Sequence, residues 1–426
     1  MDEGIIQDYY CYVDKFEQVN EEIHLLFDGV SKNWYEEFLV DNFFVAEAFE
    51  KIIPQIIFAK LSFKQLSSFF LKSSYELNDF RNTWIHLKLT HSKTDFPAEL
   101  YVENNNENPE PIFMYVQSAI PLRVSDPFID ANLKNKISLN DLPDATESEL
   151  QEALKHEEFG QSNNYVSVYD VGQGNLNAIC SFQGYPILYY DMGGGCYQNR
   201  HTYQIRKNIC FSSFKTIVLS HWDADHLSTA KRYYGTPEWN YFNNRTWIAP
   251  RQVLGPSNLK FAMRIRSVGN LLIWPSSYSK LKFTDGEIFL CNGPDKNHSG
   301  LALMTNLNKG KNNISKVLLP ADAAYKYIPL PSEIEIEGIV ATHHGADFHH
   351  SNSPTPIACG TTSIAYSYGV GNSYSHPSSL AEAAHFAVGW INRKDSFKGN
   401  IGFVINVAAF PTPCGNQCNL TITQTF

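Results

Sequence analysis

Four short apolar runs in this chain each stop at a residue that can bind a metal or move a proton. That repetition restricts the fold more than any other feature. Ile187-Leu188-Tyr189-Tyr190 ends at Asp191, and Ile217-Val218-Leu219-Ser220 ends at His221-Trp222-Asp223-Ala224-Asp225-His226. Val317-Leu318-Leu319-Pro320-Ala321 ends at Asp322, and Ile339-Val340-Ala341-Thr342 ends at His343-His344-Gly345. Runs of this length, rich in β-branched and aromatic residues, read as buried strands. Strands that all deliver polar groups at one end are what an open αβ architecture produces, with function carried on the loops beyond the strand ends.

The second run is the densest in chemistry. A lone His or Asp after a strand reads as a polar turn, with Asp225 capping the following helix. Four metal-capable side chains within His221 to His226 read otherwise, because clustered carboxylates repel one another unless a cation or a proton holds them. A metal site is expected here.

At 426 residues the chain is too long for one ordinary core, so two domains are expected. Its 43% hydrophobic and 14% aromatic content excludes a disordered chain. The start has no signal-peptide pattern, and no apolar run is long enough to span a bilayer, so a soluble, cytoplasmic protein without membrane partners is expected. Cys11, Cys180, Cys196, Cys210, Cys291, Cys359, Cys414 and Cys418 lack the regular pairing of a secreted scaffold and are expected to be mostly reduced and buried. Cys414 and Cys418 lie close together, but no neighbouring pair completes a four-ligand zinc site.

Charge is unevenly divided. Residues 1–165 hold 13 Lys+Arg against 29 Asp+Glu, whereas residues 166–426 hold 21 against 15. Within the basic part, Arg200 to Arg266 carries 11 Lys+Arg and three acids, two of which are Asp223 and Asp225. A basic field around a metal cluster suits a phosphate-bearing substrate, although a charge bias alone also fits a solvated face. Arg200, Arg206, Lys207, Arg264 and Arg266 are the candidate phosphate-holding residues on this ground.

From residue 5 to about 90 the pattern reads mostly as helix. Trp34, Phe38, Leu39, Phe43, Phe44, Ala46 and Phe49 recur at three- and four-residue steps before Pro54, and Ile56 to Phe70 repeats the pattern, predicting a small helical bundle. Leu100 to Glu103 and Ile112 to Val116 read as short strands around the Asn-rich loop Asn104 to Asn108. Asp141 to Glu158 is acidic, with Thr146 placed to cap an exposed helix, and reads as a linker ending near Gly160 to Asn164. The expected division is therefore a mainly helical, acidic module over 1–160 and a sheet-based domain over 161–426, with the period changing to short strands at Tyr165 to Tyr169, Ala178 to Phe182 and Pro186 to Tyr190.

The stretch His221 to His226 resembles the metal-binding signature of the metallo-β-lactamase fold superfamily. Asp170-Val171-Gly172-Gln173-Gly174, then Asp191-Met192-Gly193, Asp322, His343-His344-Gly345, and Tyr368-Gly369 through Asn372 to His376-Pro377 resemble the hydrolase domain of the DNA-uptake protein ComEC and its soluble relatives. The likeness covers about residues 163–410; the transmembrane channel of that family has no counterpart, so transport is not implied. It implies an α+β chain in which a four-layer αββα domain follows the N-terminal module. It implies two divalent ions, Zn or Mn: His221 and Asp223 on one, Asp225 and His226 on the other, and Asp322 bridging. His343 would complete the second position, with His344 as its neighbour or substitute, and Asp191 would orient a ligand from behind. His298 stands where the wider superfamily often places another histidine ligand. Asp223 replaces a usual His, and an oxygen donor there shifts preference towards Mn or Mg. Asn175 stands where that branch usually has an acid, and Ala321 where it usually has Gly.

The expected activity is that of a binuclear metal-dependent phosphodiesterase or nuclease using a metal-bridging hydroxide, with Asp225 in the catalytic centre and His376 as proton donor to the leaving group. Two other readings fit parts of the pattern. One is a hydrolase of a carboxyl derivative such as a lactam, lactone or thioester. The other is a non-catalytic metal-binding protein in a multi-protein system, to which the acidic N-terminal module would dock a protein partner.

Overall fold

The computed structural model describes residues 6–426 apart from 20, 39–50, 70–82, 104–109, 156–164, 182–183, 204–208, 212–213, 309–313, 333, 349–353, 355–361 and 404–420. The described chain forms two compact units, residues 1–142 with 252–269 and residues 143–251 with 270–426.

The first unit is a closed barrel, not a helical bundle. Strands β1 (Gln7–Val19), β2 (Glu22–Ser31), β3 (Gln55–Ser62), β4 (Trp84–Thr90), β5 (Pro97–Val102) and β6 (Ile112–Pro121) pair in the order β1-β2-β3-β5-β6-β4 and close back on β1. Alternate residues fill its interior: Cys11 and Val13, Ile23, Leu25 and Phe27, Ile57, Ala59 and Leu61, Ile85, Leu87 and Leu89. The helical reading failed at β1, β2 and β3 because the residues between their interior positions are buried too, whereas β4 alternates over Ile85-His86-Leu87-Lys88-Leu89. In β2, Ile23 to Val30 are all buried, so the period of two is hidden. Of the expected helical run, Lys32–Phe38 and Phe63–Phe69 are helices, while Leu39, Phe43, Phe44, Ala46, Phe49 and Phe70 lie outside the described residues. The strands expected at 100–103 and 112–116 correspond to β5 and β6; the Asn104 to Asn108 loop lies outside the described residues.

A helix from far along the chain, Pro256–Ser267, completes this unit. The buried Asp28 of β2 accepts from the Ser257 amide at 3.1 and 3.0 Å, which satisfies one of the free N–H groups of the first turn. Lys260 Nζ donates to the Ile52 carbonyl at 2.6 Å. A side chain at Gly255 would collide with the Asp28 carboxylate, 2.1 Å from its Oδ2, so the entry to the helix needs glycine.

In the second unit the strands are β7 (Tyr165–Val168), β8 (Asn177–Cys180), β9 (Pro186–Tyr190), β10 (Thr216–Val218), β11 (Thr246–Pro250), β12 (Leu271–Trp274), β13 (Lys280–Phe283), β14 (Gly286–Leu290), β15 (Leu301–Asn308), β16 (Ile314–Leu319), β17 (Gly338–Val340), β18 (Ser363–Tyr366), β19 (Asn392–Asp395), β20 (Ile401–Phe403) and β21 (Gln424–Thr425). One sheet runs β12-β11-β10-β9-β8-β7-β20-β21 and the other β13-β14-β15-β16-β17-β18-β19. A shared core joins them. Val166 and Val168, Ile248 and Val218 from the first sheet meet Leu301, Leu303, Leu307, Val317, Leu319 and Val340 from the second. The intervening residues Ala302, Met304, Leu318 and Ile339 turn to the other face, where Ala381 of helix Ser379–Ala387 is packed. The fold is thus mixed α/β, with one barrel and two sheets.

The acidic helix Glu147–Leu154 begins at Thr146 with a reciprocal capping box to Glu149. It is more than a linker, since Leu150 and Leu154 belong to the core of the second unit. Gly160 to Asn164, where the division was expected, lies outside the described residues. No described helix is long and apolar enough to cross a membrane.

Candidate metal centre

The parallel strands β9 and β10, and further along β16 and β17, end at the residues singled out above. Beyond β10 the chain turns through Ala224–His226 and places His221, Asp223, Asp225 and His226 in the interior. Two glycine loops grip that turn. The amides of Asn175 and Gly194 donate to the Asp225 carbonyl at 3.2 and 3.0 Å, and the Met192 amide donates to the His226 carbonyl at 2.8 Å. An added Cβ at Gly193 would stand 1.7 Å from the Asp225 carbonyl oxygen, so only glycine permits this approach.

Two sets of ligand atoms converge: His221, His226 and Asp322 in one, Asp225, His226 and His344 in the other, each with its atoms within 4.8 Å of one another and buried. His226 is common to both. Its Nε2 lies 3.1 Å from Asp322 Oδ1, while His221 Nε2 lies 3.6 Å from Asp322 Oδ2 and His344 Nε2 lies 3.4 Å from Asp225 Oδ2. Nε2 of His221, Nε2 of His344 and both oxygens of Asp322 are buried and take no hydrogen bond. Leaving such groups without a partner is costly, and a cation among them satisfies all of them at once. A mixed imidazole and carboxylate set suits a divalent first-row metal, so the residues fit the group that the sequence implies.

Asp191 sets the orientation of two of these rings. Its Oδ2 lies 2.8 Å from His226 Nδ1 and accepts from Ser220 Oγ at 2.8 Å, while Ser220 Oγ lies 3.0 Å from His221 Nδ1. A carboxylate only accepts, so the His226 proton is held on Nδ1; Ser220, having spent its own proton on Asp191, accepts from His221 Nδ1 in turn. His344 Nδ1 likewise lies 2.8 Å from the Ser367 carbonyl. Every one of the three Nε2 lone pairs is thereby turned towards the cluster. Burial opposes charge on His226, but the Asp322 and Asp191 carboxylates outweigh it and hold its pKa well above the usual histidine value. Burial also opposes charge on Asp322, where His343, His226, His344 and His221 prevail and hold the carboxyl well below its usual range.

Of the double histidine, His344, expected as the neighbour or substitute of His343, joins Asp225 and His226, whereas His343 Nε2 lies 3.2 Å from Asp322 Oδ2 and its side chain is 17% exposed. Both residues adopt the left-handed conformation, at φ 47° and 57°, which aims two consecutive side chains inward. Ala321, before Asp322, is left-handed too, at φ 51°. The His376 ring centroid is 5.3 Å from that of His343, and its Nδ1 is 3.2 Å from Gln173 Nε2, which brings the Gly-Gln-Gly loop and the His-Pro motif to the rim of the cluster.

Other expected residues fall elsewhere. His298 is not drawn into either set: its Nδ1 pairs with Asp295 at 2.7 Å and its ring lies against Tyr327. Asp223 is also outside both sets. Its Oδ2 is 3.5 Å from His221 Nε2, and its Oδ1 is 2.5 Å from Lys296 Nζ. Arg264 and Arg266 are on helix Pro256–Ser267 of the barrel unit, not in the unit that holds the cluster. Arg200 lies in the short turn Tyr197–Thr202, and Arg206 and Lys207 lie outside the described residues. Cys359, Cys414 and Cys418 also lie outside them; Cys11, Cys180, Cys210 and Cys291 are buried and Cys196 is half-buried.

Ser220, Ser367 and Lys296 were not picked out from the sequence. Ser220 directly precedes the histidine motif and its position carried a usable signal, since a ligand's supporting partner often lies beside it. Lys296 stands alone in a polar loop and carries none.

No family model matches the chain, and no curated protein matches it. Among solved structures it is similar to the flavodiiron protein from Giardia intestinalis, at 15% identity over 42% of this chain and 43% of that one, with a TM-score of 0.23. It is also similar to a long form of RNase Z from yeast, at 11% identity over 60% of this chain and 41% of that one, with a TM-score of 0.25. The chain spans less than half the length of each of these structures, and its assignment rests on the geometry of the cluster.

Proposed function

We propose that this chain is a metal-dependent hydrolase of the metallo-β-lactamase fold that cleaves phosphodiesters, with nucleic acid as its substrate class. The observation that carries this is the convergence of His221, His226 and His344 Nε2 on Asp322 and Asp225, with the far nitrogens tied down by Ser220, Asp191 and Ser367. Two divalent ions, Zn or Mn, held there would supply a water acidic enough to attack at neutral pH and the positive charge that stabilises a phosphoryl group. The chain's own residues do the rest. Asp191 and Ser220 keep the imidazoles from turning, the buried setting strengthens each electrostatic contact, and His376 at the rim delivers a proton to the leaving oxygen. Phosphodiesters are favoured over carboxyl derivatives by the basic run between Arg200 and Arg251 in the unit that holds the cluster, eight Lys+Arg against three acids. The acidic N-terminal part, on charge alone, is proposed as the docking module for a protein partner.

The test is a panel of single-stranded and double-stranded DNA, RNA and cyclic dinucleotides, each in Mn, Mg or Zn, run beside ester, lactam and thioester chromogens. Cleavage of a phosphodiester that Asp225→Ala reduces by on the order of a thousandfold or more is the expected outcome, given what metal-centred catalysis contributes. No phosphodiester cut in any condition, with Asp225→Ala indistinguishable from the parent, overturns the proposal.

A further inference from the structure

Lys296 is an ammonium group 7% exposed, and its Nζ is 2.5 Å from Asp223 Oδ1. A buried lysine is sustained only by a paired negative charge, and Asp223, itself 2% exposed, supplies one. The loop that carries Lys296 is fastened at the metal motif. The Leu301 amide donates to the Ser220 carbonyl at 2.7 Å, and an added Cβ at Gly300 would stand 2.4 Å from that same carbonyl oxygen and 3.1 Å from His221 Cβ. Within the loop, the Gly293 amide donates to the His298 carbonyl at 2.8 Å, and the His298 amide donates to Asp295 Oδ1 at 3.1 Å. The ammonium is therefore delivered by a closed turn, not by a loose surface side chain. Asp223 correspondingly belongs to neither set of converging ligand atoms, although its neighbours His221, Asp225 and His226 do.

We propose that Lys296 makes the two ion positions of the cluster unequal. The position formed by Asp225, His226 and His344 against Asp322 fills first. The position at His221 and Asp223 fills second and more weakly, because an ion there meets a carboxylate already neutralised by a fixed positive charge and is repelled by that charge. At low metal supply the cluster then carries one ion on the His344 side and one ammonium on the Asp223 side, and an anionic substrate is met by both. The inference rests on reading the cluster as a metal centre and adds to it an order of filling.

The test uses the full-length chain, stripped with a chelator and titrated with Mn²⁺ and with Zn²⁺ by calorimetry, with bound metal counted by elemental analysis. The parent is expected to bind in two steps whose dissociation constants differ by at least about tenfold, equivalent to about 1.4 kcal/mol. In Lys296→Met and Lys296→Gln the second step tightens and the gap falls to within about threefold, whereas Lys296→Arg, which keeps the charge, retains it. Circular dichroism on each variant separates a lost fold from a changed affinity, and either neutral variant that folds is sufficient to decide the matter. Two steps of equal affinity in the parent, or a gap that persists in both neutral variants, overturn the inference while leaving the metal centre standing. A parent that binds no metal overturns the metal centre as well.

Discussion

The barrel and the cluster end of the two-sheet unit are built on opposite terms. The barrel is filled by a large apolar cluster, from Cys11 and Val13 to Leu100 and Met114, and its few buried polar residues, such as His24, Asp28 and Gln55, do not converge on one point. At the ends of β9, β10, β16 and β17 the chain instead buries Asp191, His221, Asp223, His226, Asp322 and His344. The backbone differs in the same sense. Among the described residues, all six non-glycine residues at positive φ lie in the second unit, and four of them, Asp191, Ala321, His343 and His344, are at the cluster or next to it. Each such residue costs on the order of 1–3 kcal/mol, which the surrounding sheets must offset. The barrel holds itself together; the cluster is held in place by the sheets around it.

Three measurements bear on that contrast. The largest effect is expected inside the barrel. Leu87 is fully buried, and Leu87→Ala should cost roughly 2–5 kcal/mol of unfolding free energy, read by denaturant titration, while metal affinity stays as it was. A loss below about 1 kcal/mol would mean that the barrel interior is not the close-packed core described. At the cluster, Asp191→Asn keeps the shape but removes the carboxylate that fixes His226 and, through Ser220, His221. Metal affinity should fall by about 10- to 100-fold in a competition assay against a chromogenic chelator, and an unchanged affinity would show that Asp191 does not orient the ligands. The smallest effect has the opposite sign. Ala321 sits at φ 51° without the freedom of glycine, so Ala321→Gly should raise stability by about 1 kcal/mol, and thermal unfolding of the stripped protein would detect it. A destabilised variant would show that the Ala321 methyl, part of the shared core, contributes more than the backbone loses.

The same contrast explains how far the sequence could be read. Short strands buried on both faces and ending in Asp or His, such as Ile217-Val218 before His221, stand out because the polarity changes abruptly at the strand end. The N-cap at Thr146 was legible for a similar reason, since its side chain satisfies the helix's backbone locally. Of the barrel only β5 and β6 were legible, because their outward residues stay polar or exposed, whereas the buried run Ile23 to Val30 of β2 offers no alternation of burial to find. Which of two adjacent histidines enters the second ligand set was equally hidden, because His343 and His344 are identical in chemistry and are told apart only by backbone direction. Lys296 was hidden because its partner Asp223 is remote in sequence and belongs to a loop of the other sheet, the two loops being joined where the Leu301 amide donates to the Ser220 carbonyl.

The helix Pro256–Ser267 has a consequence for how this chain is inherited and taken apart. The polypeptide passes from one unit to the other after Leu142, returns after Arg251 and leaves again after Gly269. No single cut in the gene separates the two units: a piece that begins at the first crossing carries Pro256–Ser267 away from Asp28, and a piece that ends there leaves the barrel without it. A protease that nicks the chain once would leave both units tethered through the remaining crossings. Barrel and two-sheet unit are thus linked in the sequence so that neither is a continuous segment.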